Sequence, residues 1–91
     1  MIKLKKGVLI MRLKDLRIDK DLYQKDIAKM LGMTQQQYSE YETEKRQIPT
    51  NCLIKLAIYY NTSVDYLIGI TDEKKPYTKS KVISDNNYYV N

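Results

Sequence analysis

Apolar residues recur at helical spacing along most of the chain between positions 12 and 69, separated by short polar stretches that carry turn residues. The segment from Arg12 to Lys20 places Leu13 and Leu16 on one face with charges between them, a short amphipathic first helix after which Leu22 enters the core. Asp21 marks the bend. The next pattern has Ile27, Met30 and Leu31 at the i, i+3, i+4 spacing of a buried face, with small Ala28 beside them where another helix can approach. Gly32 ends it, because a left-handed helix end is cheapest for a residue without a Cβ. Thr34 and Gln37 then have the Thr-x-x-Gln spacing of a capping box, in which each side chain satisfies a backbone N–H that a new helix leaves orphaned. A third helix is therefore expected to start at Thr34.

Residues 43–49, TEKRQIP, read as a polar loop stopped by Pro49, a residue well tolerated at a helix start. The fourth pattern is the cleanest, with Leu53, Leu56, Ala57 and Tyr60 at i, i+3, i+4, i+7, and it is expected to be the central core helix. Asn61 suits a left-handed ending, Ser63 can cap a short fifth helix carrying Val64, Leu67 and Ile68, and Gly69 closes it. The pattern predicts an all-α fold, a compact bundle of five helices over residues 11–70. Residues 1–10 are an N-terminal arm or a helix extension. From Thr71 the periodicity collapses, and residues 71–91 read as a C-terminal tail, flexible or contacting a dimer partner. A lesser alternative makes VIS and YYV a small hairpin around Asp-Asn-Asn.

Composition narrows the chemistry. Ninety-one residues make one small domain whose core is marginal unless helices pack well or the chain pairs with itself, so a homodimer is expected. There is one cysteine, Cys52, and no histidine. An internal disulfide, a Cys/His metal set and a His-assisted nucleophile are all excluded, and Cys52 reads as a small packing residue. No metal or cofactor is expected. Asp15 and Asp19 stand at ordinary solvated helix spacing, and nothing assembles around them to suggest an enzyme. The apolar run from Val8 to Met11 is shorter than a signal peptide needs and no segment approaches a membrane span, so the expected location is cytoplasmic.

The net charge is +5, which invites a nucleic-acid reading, but the distribution tempers it. Residues 1–10 hold three lysines and no acid, residues 11–71 hold nine basic against eight acidic residues, and residues 72–91 hold four lysines against three acids. The folded part is nearly neutral. Bulk electrostatics would give it little non-specific affinity, and binding would have to come from a few well-placed contacts and from dimerisation.

The run LYQKDIAKMLGMTQQQYSEYE, the Lys45-Arg46 pair after it and the SVDYLIG ending together resemble the Xre/Cro family of helix-turn-helix transcription regulators, to which the lambdoid phage repressors belong. The likeness covers about residues 11–70. It implies a lambda repressor-like DNA-binding domain in which the helix starting at Thr34 lies in the major groove of double-stranded DNA while the preceding helix crosses the backbone. Tyr38 and Tyr41 would point inward as scaffold. Gln35, Gln36, Ser39, Glu40 and Thr43 fall on the opposite side, where the family's groove-facing positions lie. Glutamine can bond adenine N6 and N7 together, and glutamate can accept from the cytosine N4 amine, so Gln35, Gln36, Glu40 and Ser39 are the candidate base readers. Gln37 is better explained by the capping box.

The resemblance also implies a phosphate-contacting set. Gln24 matches a family glutamine that approaches a phosphate and can brace Gln35. Tyr23 stands where the family more often has Ser or Thr, which loses a cap but leaves a hydroxyl able to reach phosphate. Thr43, Lys45 and Arg46 complete the set, positioning the protein without reading sequence. Two departures stand out. The family often has Asn-Gly where this chain has Thr43 and Glu44, and Glu40, Glu42 and Glu44 place three acids near the interface. Glu42 matches a glutamate usually turned toward the scaffold. The function implied is a sequence-specific transcription regulator, a repressor in the simplest case, binding an inverted repeat as a dimer. The alternative is a protein-interaction module, such as the antitoxin partner of a toxin, whose tail binds another protein.

Overall fold

The computed structural model describes residues 4–5, 8–9 and 11–78. Five helices follow one another: α1 (Leu13–Asp19), α2 (Gln24–Leu31), α3 (Gln35–Glu42), α4 (Thr50–Tyr59) and α5 (Val64–Ile68). Ahead of them β1 (Leu4–Lys5) and β2 (Val8–Leu9) pair antiparallel, Leu4 opposite Leu9 and Lys5 opposite Val8. These four residues therefore do not extend α1. The chain is pinned before the helix begins, because the Arg12 backbone N–H donates to the Leu67 carbonyl at 2.8 Å. The hairpin alternative in the last ten residues lies outside the described residues.

All five described helices end alike. Asp21, Gly32, Glu44, Asn61 and Gly69 each take a positive φ just past a helix. In each case the N–H of the left-handed residue and that of the next residue return to carbonyls in the last turn, as with Glu44 to Tyr41 (3.2 Å) and Lys45 to Glu40 (2.9 Å). This double closure satisfies carbonyls the helix end would otherwise leave open and reverses the chain in two residues. It explains how five short helices fit so tightly. Glycine supplies the conformation at two of the five positions, and Asp21 and Asn61 are among the residue types that tolerate it best. Glu44 is the costly one.

The core is drawn from every helix. Leu13 and Leu16 of α1, Ile27, Ala28 and Leu31 of α2, Tyr38 and Tyr41 of α3, the apolar face of α4 and Leu67 of α5 form one cluster. Met30 departs from the expected face, being 37% exposed. Leu31 completes a buried arc with Ile27 and Ala28, and one residue back along the helix turns a side chain by about 100°, off that arc. Ile48 is the opposite case. It lies in the loop that reads as polar, yet is 4% exposed and plugs the cluster. Cys52 is buried in α4 as a packing residue, and burial pushes its thiol pKa up.

The segment after α5 is anchored as far as it is described, contrary to a free tail from residue 71. Arg12 does most of this. Its guanidinium donates to the carbonyls of Tyr66 and Thr71 at 2.5 and 2.8 Å, pairs with Asp72 at 2.5 Å, and lies 4.0 Å over the Tyr66 ring. The cation thus sits on the carbonyl-rich end of α5, where the helix dipole favours it. Farther on, the Thr62 hydroxyl donates to the Lys74 carbonyl and the Tyr77 hydroxyl donates to Asp65, both at 2.6 Å.

Candidate nucleic-acid interface

The turn between α2 and α3 is built by backbone conformation. Gly32 has φ +73 and a Cβ placed there would meet no atom within 4 Å, so the requirement is conformational freedom and not space. The chain then extends through Thr34 (φ −77, ψ 158), whose hydroxyl accepts the Gln37 N–H at 3.1 Å while the Gln37 side chain accepts the Thr34 N–H at 2.9 Å. The expected capping box is present, and α3 starts at Gln35 with two of its orphan donors satisfied.

Beneath α3, Tyr38 is fully buried and Tyr41 nearly so. Burial, followed by the nearby Glu42 carboxylate, pushes the Tyr38 phenol well above its ordinary pKa, so it stays neutral. With these two rings inward, Gln35 and Gln36 are exposed and Ser39 and Glu40 half-buried. Helical geometry turns Gln36, Ser39 and Glu40 away from the tyrosine side, while Gln35, one turn before Tyr38, lies at the edge between the two faces in the exposed first turn.

A polar network locks α3 to its neighbours. Glu42 accepts from Arg17 Nε at 2.6 Å, from Arg17 Nη2 at 3.0 Å and from Gln24 Nε2 at 3.0 Å, and Arg17 Nη1 donates to the Leu22 carbonyl at 2.9 Å. The two charged side chains are 11% and 2% exposed. Burial works to raise the Glu42 pKa, but the hydrogen bonds from Arg17 and Gln24 outweigh it and hold the carboxyl below its ordinary value. The network joins the last turn of α3 to α1 and to the first residue of α2. Glu42 is thus turned into the scaffold, and Arg17 is the partner that reading the helix pattern missed. Gln24 gives one amide hydrogen to Glu42, and the second hydrogen of the same NH2 group remains available chemically for a phosphate.

The outer end of α3 carries a second pair. Arg46 Nε donates to Glu40 Oε1 at 2.8 Å, and Gln36 Nε2 approaches Glu40 Oε2 at 3.5 Å. These hydrogen bonds, Arg46 first, hold Glu40 below the ordinary carboxylate pKa. Two candidate base readers and one candidate phosphate contact are therefore bonded to each other. Thr43, Lys45 and Tyr23 are exposed. The Thr43 hydroxyl is turned back onto the Ser39 carbonyl at 3.1 Å, and Lys25 Nζ lies 5.6 Å from the centre of the Tyr23 ring.

A helix-turn-helix family model matches residues 13–67, which takes in α1 to nearly the end of α5. The chain belongs to the helix-turn-helix family. Over 74 residues it is 34% identical to the uncharacterized HTH-type transcriptional regulator YobD of Bacillus subtilis (strain 168), an alignment covering 81% of this chain and 66% of YobD. Over 64 residues it is 38% identical to the HTH-type transcriptional regulator ImmR of the same organism, covering 70% of this chain and 50% of ImmR. The chain thus spans between half and two thirds of the length of these relatives. No solved structure matches it. Both relatives of this helix-turn-helix chain are named as transcriptional regulators, and the family is not one of enzymes. Among the described residues no cluster of potential metal ligands occurs, and no helix is long and apolar enough to cross a membrane.

Proposed function

We propose that this helix-turn-helix chain is a sequence-specific transcription regulator that inserts α3 into the major groove of double-stranded DNA and, as a two-fold homodimer on an inverted repeat, represses by occluding polymerase in the cytoplasm. One observation carries the reading. A helix capped at both ends sets two tyrosines inward and leaves Gln36, Ser39 and Glu40 on its other side with Gln35 exposed in the first turn beside them, a donor and acceptor array suited to base edges. Gln24, Tyr23, Thr43, Lys45 and Arg46 flank that face and supply the backbone contacts that set register. The near balance of charge in residues 11–71 leaves such specific contacts and dimerisation as the sources of affinity.

The test is selection of bound duplexes from a random pool at stated salt. The expected outcome is one enriched motif with two-fold symmetry and half-sites about 34 Å apart. Gln35→Ala or Gln36→Ala is expected to weaken that site by about 1–3 kcal/mol while leaving random DNA almost unaffected, and Lys45→Ala to weaken both. Enrichment of no sequence at low salt refutes DNA recognition. Equal losses on every sequence refute base reading by the glutamines.

A further inference from the structure

We infer that Glu40 and Arg46 form a charge latch across the reading face, one that suppresses non-specific binding and opens on a site offering an amine at the base edge opposite Glu40. The inference rests on the DNA-binding reading above and specifies how that site discriminates.

Three observations lead to it. Arg46 is 65% exposed while its partner Glu40 is 25% exposed, so the cation reaches out of the protein to cover a carboxylate seated on the helix. The contact at 2.8 Å uses only Nε of a guanidinium that has five N–H donors, a single-point bond of the kind an exposed pair exchanges readily. The loop that carries Arg46 is closed by its own and Lys45's backbone N–H groups on the Glu40 carbonyl, at 3.2 and 2.9 Å. The cation is therefore delivered to Glu40 by the helix ending itself. Gln36, one turn earlier, touches the other oxygen of the same carboxylate.

The consequence follows from charge. With the latch closed the Nη groups of Arg46 can still meet a phosphate, but Glu40 beside them offsets the charge that would make the contact attractive. On an unsuited sequence, keeping the latch therefore forgoes most of a cationic attraction, whereas opening it leaves a bare carboxylate facing the DNA. Neither choice favours binding. Opposite a cytosine N4 or adenine N6 amine, a Glu40 oxygen gains a new donor, Arg46 is released to the backbone and Gln36 is released to an adjacent base. A guanine O6 or thymine O4 at that place presents lone pairs to the carboxylate and is rejected.

Glu40→Gln keeps the shape and removes the charge. Wild type, Glu40→Gln and Glu40→Gln/Arg46→Gln are titrated against the selected duplex, its single-base variants and a random duplex, at about 50 to 300 mM salt. Glu40→Gln is expected to bind random DNA severalfold more tightly, to steepen the salt dependence by about 0.9 log unit per half-site, and to lower discrimination at one position about tenfold. The double variant is expected to return random binding to the wild-type level. A wild type that binds selectively, with a Glu40→Gln variant whose random binding and salt slope are unchanged or weaker, overturns the latch alone. A wild type that binds no DNA overturns the reading beneath it as well.

Discussion

Replacing Glu42 with leucine removes an acceptor of three hydrogen bonds and leaves the Arg17 guanidinium, 11% exposed, with the Leu22 carbonyl as its remaining bond. An uncompensated buried charge of this kind costs about 3–5 kcal/mol. A chain of this length is stabilised by about 5–14 kcal/mol in total, at roughly 0.05–0.15 kcal/mol per residue, so the loss is a large fraction of the whole. Arg17→Met strands the carboxylate instead and is expected to cost a similar amount. The double variant is different. With both charges gone there is no desolvation penalty, and what remains is the unpaired Gln24 amide and Leu22 carbonyl, about 1–3 kcal/mol together given that both residues are half-buried. Urea unfolding followed by far-UV circular dichroism at pH 7 measures all four proteins. The double variant is expected to be at least as stable as either single one. Single losses below about 1 kcal/mol, or a double loss equal to their sum, refute the assignment of a buried, mutually dependent pair. The same pair has a pH signature. Because the folded Glu42 pKa is depressed, the folded state binds fewer protons than the unfolded chain, and the contribution is complete above the unfolded glutamate value of about 4.3. It is lost as pH falls through the folded value, and Glu42→Leu is expected to flatten that part of the stability profile.

Two other substitutions test the ends of the reading helix. Thr34→Ala removes the hydroxyl that accepts the Gln37 N–H and is expected to cost about 1 kcal/mol in urea unfolding, while Thr34→Ser retains stability; an Ala variant as stable as wild type would show the capping box to be idle. Glu44, at φ +60, strains a side-chain-bearing residue by about 1 kcal/mol, an amount largely offset in a glycine variant by the entropy of the unfolded chain. Thermal melts are therefore expected to rank Glu44→Gly at or slightly above wild type and Glu44→Val clearly below both, and a valine variant matching glycine would contradict the left-handed assignment.

What could be read in the sequence divides along a physical line. Boundaries set by local chemistry were legible: Gly32, Thr34 with Gln37, Asn61, Ser63 and Gly69 each act within a few residues of themselves and sit where their chemistry places them. The inward tyrosines followed from family likeness and helical spacing. Met30 failed because a three-residue step and a four-residue step both look periodic, and only packing decides which lies at the edge of the buried arc. Ile48 failed because one apolar residue in a polar loop has no period at all. Arg17 with Glu42 are 25 residues apart, and Arg12 with the carbonyls and carboxylate it clamps are 54 to 60 apart, so neither pairing leaves a local trace. Glu44 was noticed as an odd residue where the family often has glycine, but only the backbone shows that it takes the glycine conformation. The base-reading and phosphate-contacting roles rest on the resemblance and on exposure, and binding measurements decide them.

The eight residues of α3 are too few for a helix to hold itself together in water, where isolated helices shorter than about 12–15 residues are marginal. Its order comes from its surroundings. A capping box closes one end, the double backbone closure at Glu44 the other, Tyr38 and Tyr41 anchor the underside, and Glu42 ties the last turn to Arg17 and Gln24. On the proposed reading this matters more than it would for a strongly basic protein. A domain with almost no net attraction for phosphate has little energy to spend on ordering its recognition element after contact, so the element has to be ordered beforehand. The buried Arg17–Glu42 pair and the exposed Glu40–Arg46 pair then do opposite jobs on one short helix. The inner pair fixes where the reading face stands, and the outer pair sets which surface it accepts.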